Sequence, residues 1–219
     1  MPEGNLKADQ LDIPIIDRLK GIPGFFGIRV SEEAGFETLK EDGPFEIRRY
    51  DDLVFAKTSV QGDFLKAGEE CFMRLAGYIF GHNHFHENFS KTGGEASSAE
   101  HRVMSMTTPV FQSQDTQGWT TSFVLPKTEK FASAPHPDDA RVHVVPSPTE
   151  CWAVLRFSGR MDEKEMRLRA RELAEWISEE KTVHLTKDVR WAQYDGPMTI
   201  PFLRRNEVQI RVEPVSRYQ

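Results

Sequence analysis

Apolar and polar positions divide most of the chain into two runs of elements in the same order. In the first, FEIRRY (residues 45–50) reads as a short strand, and LVFAKTSVQG as a second apolar run ending at Gly62. DFLKAGEECFMRLAGYIFG then switches to a helical period. Phe64, Gly68, Cys71, Leu75 and Ile79 recur at steps of three or four and share one face. Asp63 is placed to cap this helix and Gly81 to stop it. Two strands are expected next: HRVMSM and, beyond TTPVFQSQ and a turn at Gln117-Gly118, WTTSFVLP.

The second run repeats the plan. RVHVVP is a strand and CWAVLRFSG an apolar run ending at Gly159. MDEKEMRLRARELAEWISEEK is the strongest helical pattern, with Met166, Ala170, Leu173 and Ile177 on one face and charges on the rest. Asp162 and Glu165 have capping-box spacing. VRWAQYDGPMTIPF and NEVQIRV supply two more strands. Gly62 and Gly159 occupy matching places about 97 residues apart, too long a period for a solenoid and suited to two copies of one unit. The expected class is α+β, a duplicated β-α-β-β unit. Each unit has a helix on one face of a few strands and leaves its other face to be covered. Joining the two sheets into a curved or barrel-like surface meets that need, and a groove between sheet and helix becomes the natural pocket. Residues 1–35, with the apolar IPGFFGI, stand outside the repeat as an N-terminal extension.

Composition narrows the classes. A chain of 219 residues makes one large domain or two small ones, and 15 Phe and 4 Trp support a packed core with room for an apolar pocket. Net charge is −6 with the signs mixed and no basic stripe, so nucleic acid is not an expected partner. No run approaches the ~20 apolar residues of a membrane span. The first residues carry acids and Pro14 where a secretion signal needs an unbroken apolar run, so a cytoplasmic protein is expected. Cys71 and Cys151 fall far apart, in a helix and a strand, and read as buried thiols rather than a disulfide. No Ser-His-Asp spacing, phosphate loop or paired-acid motif marks an enzyme.

One stretch stands out chemically. GHNHFHENFS places His82, His84 and His86 at alternate positions. Imidazole ligates zinc, copper, nickel and haem iron. Alternate spacing puts three rings on one side only in an extended segment, and a catalytic zinc site takes three donors plus an open position. His101 is available from the far end of the stretch. Its Gly, Ser and Glu content reads as an exposed loop, for which solvated rings are the default.

The stretches FETLKEDGPFEIRRY, MSMTTPV, FVLP, PHPDDARV, AVLRFSG and YDGPMTIPFLRRNEVQIRV, in that order over about residues 36–213, resemble the SOUL/haem-binding protein family. The resemblance implies a distorted antiparallel β-barrel flanked by two helices. It also implies a single SOUL-like haem-binding domain over residues 36–219, with pseudo-repeats at about 36–126 and 140–213. Family members bind haem and other tetrapyrroles in a shallow apolar groove, in several cases without a strong axial ligand. The fold is also similar to effector-binding domains of bacterial regulators that take bulky cations, and fold likeness does not transfer a ligand.

The resemblance puts the groove along the C-terminal half of the first helix, here CFMRLAGYIF. Phe72, Met73, Ala76, Gly77 and Phe80 are then the floor, with simple core packing as the alternative. Met106 adds adaptable apolar surface nearby, a filler before it is a ligand. Arg204 and Arg205 suit haem propionates, or an ion pair with Glu207 or Asp195, and Arg48 and Arg49 raise the same question. One family branch carries a proposed axial His where this chain has Arg49, so that ligation does not carry over. Relatives pass from the helix almost directly to the next strand. The histidine stretch is therefore an insertion at the groove mouth, and His82 or His84 is the expected iron donor if any histidine is. A divalent metal on His82, His84 and His86 is the further possibility. The leading reading is a haem or tetrapyrrole carrier, buffer or sensor. The alternatives are a haem-modifying or histidine-loop metal enzyme, and an effector-binding module without haem.

Overall fold

The computed structural model describes residues 31–85, 101–116, 118–196 and 199–215. The strands are β1 (Glu32–Glu33), β2 (Glu37–Asp42), β3 (Phe45–Tyr50), β4 (Val54–Val60), β5 (Asn83–His84), β6 (Thr107–Thr108), β7 (Val110–Asp115), β8 (Gly118–Val124), β9 (His136–Pro137), β10 (His143–Pro146), β11 (Glu150–Phe157), β12 (Val183–Gln193) and β13 (Asn206–Pro214). The helices are α1 (Phe64–Ile79), after β4, and α2 (Glu163–Glu179), after β11. No described helix is long and apolar enough to cross a membrane.

Nine strands form one antiparallel sheet in the order β10-β4-β8-β7-β12-β13-β11-β3-β2. The order is symmetric about its middle. β7 and β12 lie side by side, then β8 and β13, β4 and β11, and β10 and β3 outward. The first strand of each run thus pairs with the second strand of the other run, β3 on β11 and β10 on β4. The barrel expected from sequence is not formed: β10 and β2 stand at opposite ends and do not pair among the described residues. The added β2, hairpinned to β3 through Gly43 at φ 59°, extends one edge instead of closing it. The other expectation that needs correction is HRVMSM, which is not a strand. Its backbone is spent on the exit of α1, where Met104 N–H donates to Ile79 O at 2.7 Å. VFQSQD, after Pro109, forms the ladder as β7.

Both helices cover one face of the sheet. α1 packs on β4 and β8, and α2 on β11, β12 and β13. Strand alternation supplies the surface: Ala153, Leu155 and Phe157 of β11 and Val208, Ile210 and Val212 of β13 join the helical core with Met166, Leu173 and Ile177. Phe64 and Ala67 bring the start of α1 into the same cluster. The alternate residues face away from the helices, Trp152 and Val154 on β11, Glu207 and Gln209 on β13, and these too are buried. The sheet therefore carries two buried faces, one apolar and one aromatic and charged.

Candidate functional site

α1 begins where the Asp63 carboxylate accepts from Lys66 N–H at 3.1 Å. It ends in a left-handed turn at Gly81, φ 112°. His82 N–H donates to Gly77 O at 2.9 Å and Gly81 N–H to Tyr78 O at 3.4 Å, the two bonds of a Schellman cap. A side chain at 81 is costly because of that φ, so the glycine decides where the helix stops.

None of residues 71–80 is exposed. Cys71, Leu75 and Ile79 face the sheet. The Cys71 thiol donates weakly to the carbonyls of Thr58 and Trp119, and burial pushes its pKa up, so it is an inert core group. Cys151 is a free, half-buried thiol on β11. On another face of α1, Phe72, Met73 and Phe80, each half-buried, pack around Ala76, which is fully buried. Phe72 also meets Phe123 edge-on, ring centroids 5.2 Å apart. The predicted floor residues thus come together as one apolar cluster. Gly77 adjoins it, and the His82 ring lies on Gly77. A Cβ there would stand 3.2 Å from His82 Nδ1.

The segment after the helix is tied down by a residue the histidine pattern concealed. Asn83 is fully buried; its amide donates to Tyr78 O at 2.6 Å and Arg102 O at 2.8 Å, and its oxygen accepts from Arg102 N–H at 2.9 Å. Tyr78 is buried with its hydroxyl on Pro135 O, and burial beside Glu129 raises its pKa. His84 turns away to β9, where its Nδ1 donates to Asp138 at 2.6 Å and its ring lies 6.0 Å from that of His136. His101 Nδ1 donates to Asn83 O at 2.5 Å. His86 lies outside the described residues. Among the described residues no three His, Cys, Asp or Glu side chains come together as a metal site.

Arg204 and Arg205 stand just before β13 and contribute elsewhere. Arg205 pairs with Glu207 at 2.9 Å and Glu33 at 3.1 Å, and lies over the Tyr194 ring at 3.7 Å. Its backbone N–H donates to Asp195. Arg204 donates to Thr199 O at 2.8 Å. These belong to the charged face of the sheet. There Glu207 also receives Arg48 at 2.9 Å, Tyr194 at 3.0 Å and Gln209 at 2.8 Å. Burial alone would raise the Glu207 pKa, but Arg48 and Arg205 outweigh it and hold the carboxyl below its ordinary value. Arg190 lies 3.7 Å from the Trp152 ring and 4.0 Å from that of Phe111, and burial lowers its pKa to about 10. Arg49, half-exposed, pairs with Glu37 and Asp51.

Two features escaped the sequence reading. Arg102, half-exposed, stacks on Phe85 at 5.1 Å and pairs with Glu129 at 3.0 Å, placing a cation beside the exit of α1. A cavity of about 440 Å³ lies away from the α1 cluster, over Phe36, Leu53 and Val124. Its rim carries Glu32, Glu33, Glu37, Asp51, Asp52 and Glu129 against Lys127 and Lys130. An acidic rim is a poor seat for propionates and a better one for a cation.

Comparison with known proteins completes the picture. Residues 31–211 match the family described as SOUL heme-binding protein. No curated protein matches the chain. Among solved structures, the C-terminal domain of EcmrR aligns with TM-score 0.53 at 11% identity, over 82% of this chain and 99% of that one. EcmrR in a DNA complex aligns at 0.51 and 10% identity, over 94% of this chain and 67% of that one. A structure described as a hydrolase from Listeria innocua aligns at 0.49 and 12% identity, over 80% and 94%. At these identities the EcmrR likeness speaks for the fold alone.

Proposed function

This chain belongs to the SOUL heme-binding protein family, and from that premise we propose that it binds a haem or related tetrapyrrole on the apolar cluster of α1. The observation that carries the reading is the packing of Phe72, Met73 and Phe80 around the small Ala76, with Gly77 beside it. The aromatic edges and thioether that cover the small residues offer an apolar surface able to adapt to a flat macrocycle. The donor set fits the group: an exposed imidazole at His82 and a half-exposed guanidinium at Arg102 for a propionate, with His84 engaged by Asp138. Bound haem would supply a redox-active iron; the residues here bind and orient it. The role is carriage, buffering or sensing. The symmetric strand order supports reading the two runs as a duplication.

Haemin titration tests this. The expected result is a saturable Soret shift with Trp quenching near one haemin per chain, and loss of both in Phe72→Glu. Absence of binding to the unaltered protein would overturn the reading. A second reading rests on the acidic cavity: an effector module that takes an organic cation there, detectable by a screen of flat cationic dyes that Leu53→Arg abolishes.

A further inference from the structure

We infer that His82 is the side chain this fold holds ready to ligate the iron of a bound haem, and that Gly77 is the residue that makes room for its ring. The inference rests on the tetrapyrrole reading above and goes beyond it by selecting one histidine from the stretch and naming what positions it.

The backbone of His82 is held on both sides. Its N–H completes the Schellman cap on Gly77 O at 2.9 Å, and its carbonyl accepts from Asp138 N–H at 3.1 Å. In such a cap the residue after the glycine folds back over the last turn, and here it meets a position without a side chain. Nδ1 is the ring atom nearest to Gly77, 3.2 Å from the place of a Cβ. Nε2 is not among the three ring atoms closest to that place, so it is not the atom held against the helix. Along α1, Met73, Gly77 and Phe80 follow at steps of four and three and share a stripe. The imidazole thus rests on the stripe that also borders the apolar cluster. His84 and His101 lack this placement. The first is bonded to Asp138 beside His136, and the second to the Asn83 carbonyl.

Gly77 is otherwise hard to account for. Its φ is not in the left-handed region, and glycine weakens a helix interior relative to alanine. A Cβ at 3.2 Å forces the ring to shift, so alanine trades ligand position for helix stability.

That trade gives the experiment. Resonance Raman and absorption spectra are recorded for haemin-loaded wild type, His82→Ala, His84→Ala and Gly77→Ala. Ferrous wild type is expected to show an iron–histidine stretch. His82→Ala loses it, binds haemin about tenfold or more weakly, and recovers the histidine-like spectrum when imidazole is added. His84→Ala keeps it. Gly77→Ala perturbs it and, in the haem-free protein, moves the His82 ring resonances by NMR without lowering the melting temperature. If wild type binds haemin but shows no histidine ligation, or if His82→Ala leaves the spectrum unchanged, this inference is overturned and the binding reading stands. If wild type does not bind haemin, both are overturned.

Discussion

The two helices occupy matching places in the strand order and have opposite surfaces. α2 carries a charged outer side: Arg167 pairs with Glu163, and Arg169 with Glu165 and Glu172. It is also clamped at one edge, where Trp176 stacks on Phe45 and donates to Asp42 at 2.9 Å. α1 has no exposed residue between 71 and 80, and its second half ends in an aromatic cluster and a buried asparagine. A charged ladder suits water and closes a face to ligands. In the matching place α1 presents the half-buried Phe72, Met73 and Phe80 packed around Ala76. One scaffold position therefore carries a charged, solvated side in one half and an apolar cluster in the other.

The comparison assumes that both helices stand on one shared sheet, and Glu207 is where that assumption breaks most severely. Glu207→Ala removes the buried carboxylate that Arg48 and Arg205 share, leaving them only the more peripheral Glu46 and Glu33, at a cost of about 3–5 kcal/mol. Chemical denaturation should show the loss, and hydrogen exchange should show α1 and α2 opening together. Separate opening would mean that the halves are independent. The same carboxyl sets an acid limit. Its pKa is depressed, so its stabilisation is complete above the ordinary carboxylate value near ~4.3. It is lost as pH falls through the lower folded value. Glu207→Gln should lose part of the acid-side slope in a series of thermal melts.

Next in size are the inner faces, which should respond alike. Leu75 and Leu173 are both fully buried, and Leu→Ala at either should cost about 2–5 kcal/mol in urea denaturation. A much smaller loss at Leu75 would show α1 to be loosely seated. The outer faces should then differ. Phe72→Glu should abolish haemin binding, whereas Leu168→Glu, at a 53% exposed position on α2, should leave binding unchanged and stability within about 0.5 kcal/mol. The smallest effect belongs to the ladder. Arg169→Ala should cost about 0.3–1 kcal/mol, less in high salt.

Local signals were readable in the chain because they act over three or four residues. Asp63 and Asp162 cap their helices as their spacing implies, each accepting from the N–H three residues on. Most strands fall on their apolar runs. HRVMSM misled because its alternation resembles a strand while its backbone groups serve the α1 exit and Asn83. GHNHFH drew the eye to imidazoles, yet the residue the fold buries is the asparagine between them. Hydrogen-bond demand singles it out, and that demand exists only once Tyr78 and Arg102 have been brought together.

Periodicity, caps and glycine stops determined the two helices, the class of fold and the two-run plan, since each depends on neighbours in sequence. Whether the sheet closes, which strand of one run meets the other, and which arginine is spent internally were decided by tertiary structure. Arg48 finds Glu207 across 159 positions of chain, and His82 finds its seat because a helix ends in a left-handed turn above a glycine. Such contacts are set by the path of the backbone in space, which no local pattern records.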